Sequence, residues 1–227
     1  MLELHIANKN YSSWSLRPWL LLTELGLPFR EQMHPFAPGS NWAAFRAFSP
    51  NGKVPCLHDD DTRVWDSLAI VEYLAERHPA VWPSDPVART WARCATAEMH
   101  AGFPALRQQC SMSCGLRVRL HQPSPALAAD IARIDELWSE GLRRFGGPFL
   151  AGERFGAVDA FYAPVVFRAQ TYGLALAEAS AAYAQRMLAR PSMQRWYAEA
   201  LAEPWRDQGH DDEIAALGQI SVDLRTG

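Results

Sequence analysis

Leu2-Glu3-Leu4-His5-Ile6-Ala7-Asn8-Lys9-Asn10-Tyr11-Ser12-Ser13-Trp14-Ser15-Leu16-Arg17-Pro18-Trp19-Leu20-Leu21-Leu22-Thr23-Glu24-Leu25-Gly26-Leu27-Pro28-Phe29 holds a strand, a helix and the approach to a second strand. Residues 2 to 7 alternate apolar and polar, the period of a strand with one buried face. From Leu16 to Leu25 the residues Trp19, Leu20, Leu22 and Leu25 cluster on one side, which predicts a helix, and Gly26 with Pro28 supplies its stop. Pro18 fits that helix only close to its start, where a proline forfeits no hydrogen bond. Ser12, Ser13 and Ser15 are thereby placed at or just before the helix N-terminus. Phe29 to His34 predicts the second strand, and strand, helix, strand implies a right-handed βαβ unit with a parallel pair.

Downstream, Val54 to His58 and Thr62 to Trp65 are short extended runs around Asp59-Asp60-Asp61, the pattern of a β-hairpin with an acidic tip. The three aspartates read as a solvated turn, since nothing nearby repeats the ligand spacing of a metal loop. Asp66-Ser67 opens another helix, Leu68 to Arg77, with Ile70, Val71 and Leu74 as its buried stripe. Three prolines in His78 to Pro86 forbid regular helix, so the chain divides into a first domain at 1–79, a linker at 80–85 and a second domain at 86–227. The second domain reads as helical: Asp85-Pro86 and Ser124-Pro125 are N-caps followed by a proline at the first helical position, and periodicity predicts helices over 157–172, 178–189 and 191–202. Beyond about residue 204 the stretch is mixed and polar and carries no assignment.

Composition narrows the function. The 227 residues are 48% hydrophobic and 21% charged with a net charge of −3, which leaves no electrostatic footprint for nucleic acid or an anionic membrane. No run of about 18 apolar residues occurs, and Met1-Leu2-Glu3-Leu4-His5 lacks the basic and apolar regions of a signal peptide, so a cytoplasmic protein is expected. Cys56, Cys94, Cys110 and Cys114 are too scattered for a disulfide framework and are expected to be buried, inert thiols. Cys110 and Cys114, four apart, would share one helical face if their segment is helical, but they have neither CxxC spacing nor a matching pair of histidines.

Three motifs in this order carry a resemblance. Asn10-Tyr11-Ser12-Ser13-Trp14-Ser15-Leu16-Arg17 is similar to the serine-bearing start of the zeta-like and related bacterial members of the cytosolic glutathione transferases. Ser49-Pro50-Asn51-Gly52-Lys53-Val54-Pro55-Cys56-Leu57 resembles that family's cis-proline segment, and Asp66-Ser67-Leu68-Ala69-Ile70 resembles its glutathione motif. The resemblance covers nearly the whole chain. It implies an α/β thioredoxin-like N-terminal domain (βαβ-ββα) followed by an all-α C-terminal domain. It also implies glutathione as co-substrate, no metal, and a homodimer.

The chemistry this requires is specific. A thiol with a pKa of about 8.5 is only a few per cent thiolate at neutral pH, so a transferase must stabilise the anion. A hydroxyl at the positive end of a helix does so by a charge-assisted hydrogen bond aided by the macrodipole. Ser12 and Ser13 stand where that donor belongs, with Ser12 preferred and Ser13 its neighbour; helix capping is their structural alternative. Trp14 is counted among the glutathione contacts. A cis bond before Pro55 would turn the Val54 backbone toward a bound peptide, which then docks like an added strand, and Lys53 is a candidate for the glycyl carboxylate. Asp66 suits the γ-glutamyl ammonium, and Ser67 with the free N–H groups of its helix suits the carboxylate.

Two departures from the family pattern matter. Phe155-Gly156-Ala157-Val158-Asp159 resembles the family's buried capping box, but Gly156 replaces the hydroxyl residue, leaving Asp159 half of the reciprocal bonding. Zeta-class isomerases acting on maleylacetoacetate carry a cysteine after the paired serines, whereas Trp14 stands here, which weakens the isomerase reading. His100, Arg107 and Gln108 are assigned to the first long helix of the second domain, and Trp42 is a candidate pocket residue. The leading reading is nucleophilic transfer to an electrophilic small molecule. The alternatives are isomerisation or reductive dehalogenation by the same thiolate, or a non-catalytic glutathione-binding or protein-interaction module.

Overall fold

β1 (Leu2–Ile6) buries Leu4 and Ile6 completely and stands at the centre of a mixed sheet in the order β2-β1-β3-β4. The computed structural model describes residues 1–226. β2 (Phe29–Met33) pairs parallel to β1 with Leu2 against Phe29, as the βαβ reading requires. β3 (Cys56–Asp59) pairs antiparallel to β1 with Leu4 against Leu57, and β4 (Thr62–Trp65) closes the hairpin. β3 starts two residues later than predicted, since Pro55 has no N–H for the ladder. α1 (Ser13–Glu24) and α3 (Ser67–Ala75) pack Leu16, Leu20, Ile70 and Val71 on the sheet, while α2 (Trp42–Phe45) is a single turn. Because α1 begins at Ser13, Pro18 falls in its interior rather than its first turn, and the carbonyl four residues back loses its usual donor.

The second domain begins with α4 (Pro86–Ala101), capped by Asp85, whose carboxylate accepts from Ala88 N at 2.7 Å. α5 (Pro104–Gln109) follows a break at Gly102 and at Phe103, which is left-handed at φ 59°. Arg107 and Gln108 therefore belong to a separate short helix, not to the first long one with His100. α6 (Pro125–Phe145) is capped by Ser124 as predicted. α7 (Ala157–Tyr172) is buried all round except at Gln170, the mark of a central helix. α8 (Glu178–Leu188) and α9 (Pro191–Ala202) complete the expected helical domain. A feature no periodicity announced is added to it: α10 (Gln208–Leu217) runs into β6 (Gly218–Asp223), which pairs antiparallel with β5 (Leu116–Leu120). Among the described residues no helix is long and apolar enough to cross a membrane.

Asp159 shows how the half capping box is compensated. Its carboxylate accepts from Gly156 N and Leu150 N, both at 3.0 Å, and from the Tyr183 hydroxyl at 2.9 Å. Burial pushes the carboxyl up to about 6 against the pull of these donors, so the group is ionised at neutral pH.

Three cysteines, Cys56, Cys110 and Cys114, are buried, and burial pushes the Cys56 thiol up to about 11 and that of Cys110 to about 12. Cys94 is exposed, against expectation, because it lies off the stripe by which α4 packs. Cys110 caps α5 and Cys114 lies beyond it, so the pair does not share a helical face.

The domains are joined by packing and by charge. Trp19 on α1 and Trp196 on α9 are fully buried and meet edge to face at 5.0 Å. Lys9 Nζ lies 5.1 and 5.4 Å from these two rings and pairs with Glu31 and Glu199. Arg190 clasps the Glu24 carboxylate with two guanidinium nitrogens.

Candidate active site

The turn between β1 and α1 delivers the serines. Asn8 O accepts from Tyr11 N at 3.1 Å and from Ser12 N at 2.8 Å, so Ser12 arrives as the N-cap of α1. The second domain clamps this turn. Glu203, 5% exposed, accepts from the backbone N–H groups of Lys9 and Asn10, and Asn10 Oδ1 accepts from Gly115 N at 2.9 Å. These contacts hold the segment that aims the serines, across more than a hundred residues of chain.

The two hydroxyls have different surroundings. Ser12 Oγ donates to Ser15 Oγ at 2.7 Å and accepts from Ser15 N at 3.4 Å, so it serves the cap. Ser13 is the first residue of α1, and its Oγ accepts from Arg168 Nη2 at 3.5 Å. Arg168 is anchored on the Cys110 carbonyl. Burial, and then the charge of Arg107, lowers its pKa to about 10, which leaves it cationic at neutral pH. The hydroxyl of Tyr11, a residue that also lines the cavity onto which these serines open, is held by the C-terminal segment. It lies 3.2 Å from both Asp211 oxygens and 2.9 Å from Arg225 Nη1, and burial followed by Asp211 raises its pKa.

These side chains open on a cavity of about 500 Å³ lined by Ser12, Ser13, Trp14, Lys53, Val54 and, across from them, Arg168. Trp42 and Arg107 also line it. A Cβ on Gly52 (φ +65°) would fall 2.6 Å from the Trp42 indole, so the loop before the cis Val54-Pro55 bond can approach that ring only as glycine. Pro55, Asp66 and Ser67 do not line this cavity. Arg17 lies over the Trp14 ring at 4.1 Å and Arg107 at 4.9 Å, while His100 meets it edge-on at 5.4 Å. His100 Nε2 in turn lies 3.5 Å from Asp66 Oδ2, which links the two halves of the predicted site.

The Asp66 corner is strained and polar. Asp66 has φ +73°, a conformation that costs a side-chain-bearing residue on the order of 1–3 kcal/mol. It caps α3 by accepting from Leu68 N at 2.8 Å. Ser67 Oγ and all three guanidinium nitrogens of Arg17 are buried and lack hydrogen-bond partners among the described residues. Burial, then Arg107 and Arg168, holds the Arg17 pKa well below its ordinary value, with Asp66 opposing. Unsatisfied buried polar groups of this kind call for a further partner, a ligand or an ordered water, to complete the bonding.

Sequence reasoning missed Arg168, Glu203 and His210. Arg168 sits on a helix that is buried nearly all round, so no polar face singles it out, and Glu203 and His210 lie at or beyond the point where periodicity ends. His210 lines the cavity and places Nδ1 2.8 Å from Asp207 Oδ2. A larger hollow of about 830 Å³ lies around Trp82 and Phe155 and includes none of the predicted site residues.

A thioredoxin-like α/β domain with a cis-proline loop, joined to a helical domain that closes a serine-lined cleft, defines the glutathione transferase fold. Residues 11–77 match the glutathione S-transferase N-terminal domain and residues 116–199 its C-terminal domain. The chain is 27% identical over 216 residues to glutathione S-transferase GstB of Escherichia coli K12, covering 86% of this chain and 92% of that protein. It is 30% identical over 159 residues to glutathione S-transferase GstA of Escherichia coli O157:H7, covering 65% and 74%. The crystal structure of a theta class glutathione S-transferase from Xanthomonas axonopodis pv. citri with glutathione bound superposes with a TM-score of 0.64 at 25% identity, covering 86% of this chain and 96% of that one. The chain belongs to the glutathione S-transferase family and is an enzyme of that family.

Proposed function

We propose that the protein is a serine-type, zeta-like transferase that binds glutathione between its domains and presents the thiolate to an electrophilic small molecule. The observation that carries this reading is the pairing of the Ser13 hydroxyl with the buried Arg168 cation at the mouth of α1. Ser13 Oγ already accepts from Arg168, so its own proton is free to be donated to sulfur, while the cation favours negative charge beside it. Ser12, which donates to Ser15, keeps the role of cap. The proposal thus moves the donor from Ser12 to Ser13.

The rest of the tripeptide follows the chemistry of its ends. The Val54 backbone, before the cis Pro55, pairs with the cysteinyl unit, and Lys53 meets the glycyl carboxylate. The unpartnered Ser67 hydroxyl and the free N–H groups of α3 suit the γ-glutamyl carboxylate, with Asp66 for the ammonium. Trp14 forms the wall between the two regions, held by Arg17 and Arg107. A relative crystallised with glutathione bound supports the choice of tripeptide. A homodimer in the cytoplasm, with residues 80–85 as linker, completes the proposal.

Titration calorimetry with reduced glutathione is expected to show one site per chain, and a conjugation assay with an aryl halide is expected to show turnover. No heat at millimolar glutathione would remove the assignment of the cleft. Binding without turnover of any electrophile would leave the non-catalytic module instead. Tyr11→Phe is expected to leave the apparent thiol pKa of the complex within about half a unit of wild type, since the phenol is already engaged by Asp211 and Arg225. A shift of a full unit, read from the pH dependence of thiolate absorbance, would make Tyr11 the activating group.

A further inference from the structure

On the sheet face away from α1, a cluster of imidazoles stands apart from the proposed cleft. Glu3 and His5 are two apart on β1 and share a face, and the antiparallel register sets His58 directly opposite Glu3. One donor atom from each of Glu3, His5 and His58 lies within 4.8 Å of the other two. His34, from the end of β2, and Phe48 stack against His5 at 5.1 and 4.7 Å and close the inner side.

The hydrogen bonds around the cluster fix which atoms are free. His58 Nε2 lies 2.8 Å from the Phe48 carbonyl, which can only accept, so Nε2 carries the proton and the neutral ring keeps its lone pair at Nδ1. His5 Nδ1 lies 2.9 Å from His34 Nε2, while His5 Nε2 is buried without a partner. With the proton of that bond on Nδ1, Nε2 keeps a second lone pair free for an ion. A ligating imidazole normally has its other ring nitrogen tied to a carbonyl or similar acceptor; His58 has that support from the Phe48 carbonyl, and His5 has it from His34 with the proton on Nδ1. Glu3 supplies the charge. One of its oxygens pairs with Arg30 at 3.1 Å, leaving the other for an ion, and the neighbouring cation Arg63, which faces His58 across the hairpin, is exposed to solvent.

From this geometry we infer that Glu3, His5 and His58 form a site for one Zn²⁺ ion. Two imidazoles and a carboxylate suit this ion, and water at the partly exposed rim completes a tetrahedron. Bonds of about 2 Å draw the three donors closer than they stand without metal, which small side-chain rotations accomplish. The inference does not depend on the glutathione reading, since none of the three residues lines the cleft.

The test is calorimetric titration of chelator-treated, full-length protein with Zn²⁺, together with Co²⁺ titration read by the visible absorption of a tetrahedral site. One equivalent per chain is expected, with the tetrahedral spectrum. Glu3→Gln and His58→Gln are each expected to weaken binding at least tenfold, while His121→Gln, altered at an exposed residue outside the cluster, leaves it unchanged. Circular dichroism and glutathione binding report whether the variants remain folded. Lack of one-to-one binding in the parent, or unchanged affinity in either cluster variant, would overturn the site.

Discussion

Replacing Ser13 by alanine is expected to lower kcat/KM for conjugation roughly 30- to 150-fold, the equivalent of about 2–3 kcal/mol for a lost hydrogen bond to a charged acceptor. The apparent pKa of the bound thiol should rise by about 1.5 to 2 units toward that of the free thiol. The sign follows from what the hydroxyl does. It stabilises only the anion, so its removal favours the protonated form, and the loss of rate is greatest below the new pKa and fades above it. Arg168, which sits beside position 13, is unchanged in this variant and is expected to keep part of the stabilisation.

Ser12→Ala provides the contrast. It removes the cap bond to Ser15 N, which costs about 1 kcal/mol of stability, yet should move the thiol pKa by less than about half a unit. Thiolate absorbance against pH in the two variants decides between the serines. A pKa that rises in Ser12→Ala and stays fixed in Ser13→Ala would return the donor role to Ser12.

Asp159→Ala is the second large effect, and it falls on stability instead of chemistry. The truncation strands Leu150 N, Gly156 N and the Tyr183 hydroxyl, all buried. At about 1–3 kcal/mol for each orphaned donor, less what relaxation recovers, the loss should be roughly 3–5 kcal/mol. For a chain of this length that is a fall in melting temperature of about 6 to 20 °C. Asp159→Asn keeps one acceptor oxygen and should fall between the two. A melting temperature within about 2 °C of wild type in Asp159→Ala would mean that these bonds are replaced on truncation, and the packing account of α7 would fail.

The sheet and most helices were legible because their signals are local. Alternation in residues 2 to 7, the proline after Asp85 and again after Ser124, and the spacing of Trp19, Leu20 and Leu22 each act within about ten residues. The same holds for part of the site. Serines before a helix and Asp66-Ser67 opening another are patterns of contiguous chain, and the resemblance ordered them. Boundaries erred where backbone chemistry outweighed pattern, as at Pro18 inside α1 and Pro55 before β3.

Tertiary structure decided what stands around those serines. Arg168 reaches Ser13 across 155 residues, and Glu203 reaches Asn10 across 193. Packing of α7 and α9 on α1, which no local pattern encodes, makes both contacts. The Tyr11 hydroxyl is engaged because α10 and the segment after β6 return Asp211 and Arg225 to it. The cluster of Glu3, His5 and His58 likewise exists through register, since a shift of one residue in the β1–β3 pairing would send its histidines to opposite faces. The sequence by itself determined most of the elements and their order as far as about residue 204, because propensity and periodicity are short-range. Which charges meet which hydroxyls was left to the packed domains, because only burial brings distant side chains together and removes the water between them.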